Sequence, residues 1–288
     1  MFQSRYSTFT WRSLLLAGAA WSCMGQAAAL EPNVACIAAN CGLQLGSCAF
    51  DSGCRTALGC VQHCTSNDAE VRQTCLITCV ESTPTTKYDA LTSCIVQHSC
   101  LPKPAPRSCP WPSHPNAMAS VALSDLEGTW YVLQGLSPAY DCWSCQTMKF
   151  TQQSSSQSRY DYAYMVKSPL LSRISCSISS VMDDYRVAIP GRFHETYVAH
   201  GVVGNDDWFV LSQPHPDYAL LYYCGTSAMD SYQGAVVITR SPNSEIPAAI
   251  VNSFRQALKD ADFPVPITLD SFCSIDNDAC PNTVSTGN

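Results

Sequence analysis

Asp206 and Asp207 stand side by side in "GNDDWFVLS" (204 to 212), two carboxyls run directly into Trp208, Phe209 and Val210. In an extended strand neighbouring side chains face opposite ways, so Asp206 shares a face with Trp208 and Asp207 shares the other with Phe209. Only one of the two acids can enter an apolar interior. There desolvation disfavours the charged form, raises the pKa, and makes the carboxyl a proton donor in a mildly acidic compartment. The alternative reading is that both acids form a solvated strand end. The stretch "LLYYCG" (220 to 225) poses the same choice for Tyr222 and Tyr223. One phenol faces inward and needs a hydrogen-bond partner there, with core packing as the alternative role. Cys142 and Cys145 have thiol-exchange spacing but fall in a loop between strands, not at a helix start, which argues against an activated thiol. No G-x-S-x-G, phosphate loop or H-E-x-x-H occurs, and the six histidines show no metal spacing. Serine hydrolase, nucleotide and zinc-protease chemistry therefore fall away.

The elements that must position these groups are short. Period-two runs rich in Tyr, Val, Ile and Trp occupy 159 to 166, 195 to 203, 207 to 212, 218 to 223 and 234 to 240. Many short strands of regular spacing imply a closed barrel or a sandwich. Ile246, Ile250, Val251, Phe254 and Leu258 then recur at helical spacing, with Ser244 as a cap, which places one helix on the outside. Upstream, 11 cysteines fall between Cys36 and Cys109, a density at which covalent staples replace a large core. Cys60/Cys64 and Cys75/Cys79 are each one helical turn apart, so two helices back to back can be riveted by nested bridges. Zinc is the competing use, but the spacings lack C-x2-C and His63 and His98 are isolated. No metal and no nucleotide is expected. Six prolines between residues 102 and 116 mark a linker, taken as 102 to 120. Residues 1 to 29, with Arg5, Arg12, an apolar run and a small-residue end, read as an export segment. The formal net charge of −7, with no basic stripe, argues against nucleic acid as a partner.

Gly128-Thr129-Trp130-Tyr131 matches the G-x-W start of a lipocalin, and Arg240 ends the last strand where a lipocalin lays a guanidinium over that tryptophan. The resemblance implies a mainly β fold: a lipocalin-like eight-stranded antiparallel barrel with a C-terminal helix over 121 to 273. A small disulfide-rich α-helical domain at 33 to 101 precedes it, and a tail at 274 to 288 follows. The cysteine spacing, "GTWYVLQGLSPAYDCWSCQ", "DDWFVLS", "DYALLYYCG" and "DSYQGAVVITR" together resemble the violaxanthin de-epoxidase family over about residues 33 to 273.

That family opens a xanthophyll epoxide at acidic pH in the thylakoid lumen and reduces it with ascorbate. The resemblance implies Asp206 as the catalytic acid and Tyr223 as a second catalytic residue. Asp141, Gln146 and Trp208 become substrate contacts, and ascorbate the co-substrate. The implied bridges are Cys36–Cys54, Cys41–Cys48, Cys60–Cys79, Cys64–Cys75, Cys94–Cys100 and Cys145–Cys273. Cys109, Cys142, Cys176, Cys224 and Cys280 are additional to the family set. Implied partners are an epoxy-xanthophyll in thylakoid lipid, the membrane surface transiently, and a second copy of the chain at acidic pH. The implied location is the chloroplast thylakoid lumen, although no plastid transit region is evident ahead of the apolar run. Four positions depart from the family pattern: Met148 and Thr151 replace histidines, and Gly204 and Ile238 replace tyrosines. Redox-neutral isomerisation of the epoxide, or carotenoid binding without catalysis, are the competing expectations.

Overall fold

The computed structural model describes residues 33–66, 69–83, 85–101, 110–113, 120–166, 174–185, 189, 191–228, 231–278 and 280. The export segment, Cys109 and most of the linker lie outside them. Among the described residues, five helices form the cysteine-rich part: α1 (Val34–Asn40), α2 (Gly42–Phe50), α3 (Ser52–Val61), α4 (Ala69–Ser82) and α5 (Thr86–Gln97). Their starts are written in the sequence. Asn33 accepts from Cys36 N, Asp51 from Cys54 N and Thr85 from Lys87 N, each supplying an acceptor to a first-turn amide that has no partner inside its helix.

Cys60–Cys79 and Cys64–Cys75 tie the end of α3 to α4, the nested pair that the one-turn spacings allow and the resemblance implies. The remaining pairing differs from the implied one. The structure joins Cys36 to Cys100, Cys41 to Cys94 and Cys48 to Cys54, in place of Cys36–Cys54, Cys41–Cys48 and Cys94–Cys100. Cys41 caps the start of α2 and Cys48 lies seven residues along it, a rise of about 10 Å, too far for a bridge between α-carbons. Helix α5 instead returns across α1 and α2, with Asn33 N donating to Cys100 O at 2.9 Å, and brings Cys94 and Cys100 to the first two cysteines. Cys64, Cys75 and Cys79 gather as a metal site would, but all three are bridged and have no thiolate to give.

The barrel strands are β1 (Gly128–Gly135), β2 (Ser144–Ser154), β3 (Gln157–Val166), β4 (Ile174–Asp184), β5 (Arg192–Ala199), β6 (Val202–His215), β7 (Tyr218–Ser227) and β8 (Ser231–Thr239). Neighbours pair antiparallel in chain order, and β8–β1 and β1–β2 close the ring. Closure leaves no open edge among these strands. The run 195 to 203, read as one strand, is two. His200 and Gly201 both have positive φ, 49° and 77°, and form the two-residue turn of the β5–β6 hairpin.

Helix α6 (Ala248–Asp260) covers the outside of β6, β7 and β8 through Phe254, Ala257 and Leu258 against Phe209, Leu220, Tyr222 and Val237. With the interior on one side and α6 on the other, β7 is buried continuously from Ala219 to Gly225. The helix begins four residues beyond the expected Ser244 cap. Pro247 occupies the cap without a side-chain bond, its ring fixing φ at −57°, and Ile246 still packs on the same cluster from outside the helix. At the floor, Arg240 lies 3.6 Å above the Trp130 ring and donates to Thr129 O and Asp125 O. Trp130 Nε1 in turn donates to Leu126 O at 2.7 Å.

The stretch after Cys273 is built into the barrel. Short β9 (Cys273–Ser274) pairs with β1, aligning Cys273 with Gly135, and Asn277 Nδ2 donates to Val132 O at 2.9 Å. Cys273 therefore meets Cys142, whose sulfur lies beside Gly135 O, and not Cys145 as implied. Cys145 N donates to Asp276 O, which aligns it with the later segment and with Cys280. Cys224 is also bridged, whereas Cys176 remains a thiol beside Glu81. The helical part seats on the barrel rim here. Tyr164 donates to Glu81 at 2.6 Å, and His200 reaches Glu81 at 3.2 Å and Asp89 at 3.5 Å. A Cβ at Gly201 would overlap Asp89 O, so the turn approaches α5 as only glycine allows. No helix among the described residues is long and apolar enough to cross a membrane.

Candidate functional site

Inside the barrel the side chains form layers. Trp130, Met148, Ile238, Val210 and Leu221 fill the lower part, and Trp208 and Tyr223, paired across β6 and β7, lie above them with ring centroids 4.7 Å apart. Asp206, two residues back along β6, stands above Trp208 toward the rim that carries the His200 turn. It is 5% exposed. Asp207 faces outward and is held by Arg192 at 2.8 Å and His194 at 3.1 Å, with Arg192 stacked on Trp111. The alternation of "NDDWF" is thus realised with Asp206 and Trp208 inside and Phe209 under α6. Likewise Tyr223 faces inward and Tyr222 packs under α6.

Asp206 Oδ1 accepts the Tyr232 hydroxyl at 2.5 Å. Burial, followed by the charge of Glu195, pushes its pKa well above the usual carboxylate range, with the Tyr232 bond opposing. Glu195 is its partner across β5 and β6 and is also buried. Its oxygens accept Ser180 Oγ at 2.6 Å and Trp208 Nε1 at 2.8 Å, and burial lifts it to about 7. A third carboxyl, Asp141, accepts the Tyr223 hydroxyl at 2.7 Å and the amides of Ser137 at 2.9 Å and Ala235 at 3.3 Å. Burial raises Asp141 to about 7 against those bonds. Three donors occupy it, so Asp141 orients Tyr223 and pins the 137–141 turn to β8. Room for the pair exists because residue 234 is glycine: a Cβ there would overlap the Tyr223 hydroxyl and Asp141.

Gln146 is fully buried, its Nε2 donating to Tyr140 O at 2.8 Å and meeting Tyr162 Oη at 2.6 Å. The carbonyl of Tyr140 can only accept, which fixes the amide's orientation. Gln146 Oε1 is left buried with no hydrogen-bond partner among the described residues. Such an oxygen can accept a hydrogen bond from a hydroxyl or amide donor.

The four departures separate in space. Met148 and Ile238 are buried in the lower core, Met148 beside Trp130, so apolar atoms stand where the resemblance implies His and Tyr. Thr151 is exposed on the outside of β2 and takes no part in the interior. Gly204 is filled from the next strand: Tyr197, its cross-strand partner, puts its phenol where a Cβ on Gly204 would go. The Tyr197 hydroxyl is hydrogen-bonded to that of Tyr232. Glu195, Tyr197 and Tyr232 were not among the sequence candidates. The signal for the first two lay in the turn: with His200–Gly201 as the hairpin, Glu195 falls opposite Asp206 and Tyr197 opposite Gly204.

Among curated proteins, violaxanthin de-epoxidase of Arabidopsis thaliana, described as chloroplastic, is 28% identical over 251 residues, 83% of this chain and 52% of its own length. Its Spinacia oleracea counterpart is 26% identical over 259 residues, 83% of this chain and 51% of its own. The chain spans about half the length of the curated relatives it matches. Among solved structures, lobster apocrustacyanin A1 is similar over 60% of this chain and 93% of its own, at 12% identity and a TM-score of 0.41. The family model of the VDE lipocalin domain matches residues 33–277, from the cap of α1 through the barrel to the asparagine that locks the segment after β9. On that match, the chain belongs to the VDE lipocalin domain family, as a diverged violaxanthin de-epoxidase-related member.

Proposed function

We propose that this chain is an oxidoreductase that opens the epoxide of an epoxy-xanthophyll by acid assistance, with ascorbate as reductant, in the chloroplast thylakoid lumen. The observation that carries the reading is Asp206, a carboxyl buried above the paired rings of Trp208 and Tyr223 with its pKa raised, in a chain of this family. Protonated Asp206 gives its proton to the epoxide oxygen as the carbon–oxygen bond breaks. Trp208 and Tyr223 present ring faces to the electron-poor carbon, and Asp141 holds the Tyr223 hydroxyl in place. Ascorbate, a monoanion at mildly acidic pH, supplies two electrons and one proton; with the proton from Asp206 the oxygen leaves as water, and the conjugated chain gains a double bond. Gln146 Oε1 fits a hydroxyl of either the ring or the reductant.

A second reading has its own support. Glu195 faces Asp206 across the hairpin, and the lower core carries Met148 and Ile238 in place of polar groups. Once Asp206 has opened the epoxide, the carboxylate it leaves, shielded from solvent beside Glu195, can take a carbon-bound proton and isomerise the substrate without a reductant. Incubating the oxidised protein with violaxanthin in galactolipid at acidic pH separates the readings. De-epoxidised product only with ascorbate supports the first; a rearranged product without it supports the second. Carotenoid retained without conversion in both arms, and retained equally by Asp206→Asn, would establish a binder and sink both.

A further inference from the structure

Asp206 is spent at each turnover and must be recharged, yet it is buried. Among the described residues its surroundings offer few ways in. On β5, Glu195 is itself buried and is held by Trp208 Nε1, a donor that cannot pass a proton on, and by Ser180, also buried. From β7 and the 137–141 turn, Tyr223 donates to Asp141, which is buried and saturated by two amides. Asp207 faces the opposite side of the strand, held by Arg192. On β8, Tyr232 donates to Asp206 and is bonded in turn to Tyr197, and both residues are partly exposed.

The donor order follows by elimination. Tyr232 has one proton and gives it to the Asp206 carboxylate, so its oxygen must accept from Tyr197. We infer that Tyr197 is the outer end of a two-phenol proton relay, Tyr197 to Tyr232 to Asp206, by which the acid is reloaded from solvent. A proton arriving at the Tyr197 oxygen sends that residue's own proton to Tyr232, whose proton passes to the carboxylate. Each phenol gains one proton and loses one, no electrons move, and Asp206 ends neutral. Gly204 is what makes room for the Tyr197 ring beside the acid, since any Cβ there would overlap it. Tyr197 never reaches the reacting atoms and acts only through Tyr232.

The relay deepens the acid role proposed for Asp206, but it can be measured without substrate. After a rapid pH jump, the carbonyl stretch of the protonated Asp206 carboxyl, identified by its absence in Asp206→Asn, is followed by time-resolved infrared spectroscopy. Tyr197→Phe keeps the ring and removes the hydroxyl, and is expected to slow the appearance of that band by about tenfold or more. Imidazole added as a soluble proton carrier is expected to restore part of the rate. With violaxanthin, the first turnover of pre-acidified Tyr197→Phe should match wild type while later turnovers slow. A wild-type band rate in folded Tyr197→Phe overturns the relay. Tyr232→Phe breaks the inner link and tests it again should the first variant fail to fold: a wild-type rate there overturns it equally. Absence of turnover in the wild-type protein would sink the proposed reaction and leave the infrared measurement to judge the relay by itself.

Discussion

Replacing Glu195 by Gln tests whether the raised pKa of Asp206 comes from the shape of the hairpin. Both carboxyls are buried, and they sit on cross-strand partners of β5 and β6. Carboxyls so placed lie about 6 Å apart. Two unit charges at about that distance, with an effective dielectric of roughly 20, repel by about 3 kcal/mol, close to two pKa units. Glutamine is a fair isostere. Its carbonyl still accepts Trp208 Nε1, and the Ser180 hydroxyl can turn to accept from its amide. Glu195→Gln should therefore fold, and should lower the midpoint of Asp206 by one to two units, shifting the alkaline limb of any activity, where the acid loses its proton, to lower pH by the same amount. Asp206 should still titrate above an ordinary aspartate, because burial ranks ahead of Glu195 among the causes of its shift. Carbon-13 NMR titration of carboxyl-labelled protein, with Asp206→Asn to assign the resonance, reads the midpoint directly. A change of only a few tenths of a unit would mean that the two carboxyls do not share a field, and the pairing argument would be wrong.

Asp141 and Glu195 have folded values of about 7 against 3.8 and 4.5 in the ordinary state, and Asp206 is raised as well. Groups raised on folding contribute stability that is whole below the ordinary value and lost as pH rises through the folded one, so Tm should fall between about pH 4 and pH 8. Calorimetry on Glu195→Gln and Asp206→Asn should show that slope flattened, and an unchanged slope would count against buried ionisation. His200, raised chiefly by Glu81 against the lowering effect of burial, adds to the same trend, whereas Glu81, lowered, is lost only as pH falls below its ordinary 4.5. Gly234→Ala should push Tyr223 off Asp141, costing about 1–3 kcal/mol and turnover together; full activity would show that the pair is dispensable. Serine in place of Cys142 opens a bridge spanning 131 residues and should cost about 2–4 kcal/mol in a denaturant titration, with no shift in midpoint refuting a structural role.

The fold was legible because its signals are local. Alternation in "NDDWFVLS" and "LLYYCG" decides which residues see the interior, and the helical spacing of Phe254 and Leu258 decides what covers β6 to β8 from outside. Covalent pairing was not legible in the same way. Which cysteine meets Cys36 or Cys41 depends on α5 returning across α1 and α2, a packing event more than fifty residues away along the chain. Cys142 and Cys145 show the limit sharply. They look like a redox pair three residues apart, yet the register of β9 on β1 sends them to different partners, Cys273 and Cys280.

The site falls between these cases. Asp206, Tyr223, Asp141, Gln146 and Trp208 do converge inside the barrel, but what surrounds them was hidden by one misread turn. Taking 195 to 203 as a single strand leaves Glu195 and Tyr197 at unrelated positions. Folding the chain back at His200–Gly201 puts one carboxyl opposite Asp206 and one phenol into the space of Gly204. A two-residue turn thus changes the chemistry inferred for the site, from a lone acid missing a tyrosine to an acid with a carboxyl partner and a phenol supplied by the adjacent strand. Met148 and Ile238 still stand where the resemblance implies polar groups, and they lie lower in the core, below the layer of Trp208 and Tyr223. The proposed proton delivery at the rim therefore does not draw on the lower core, where Met148 and Ile238 stand at positions that the resemblance makes polar.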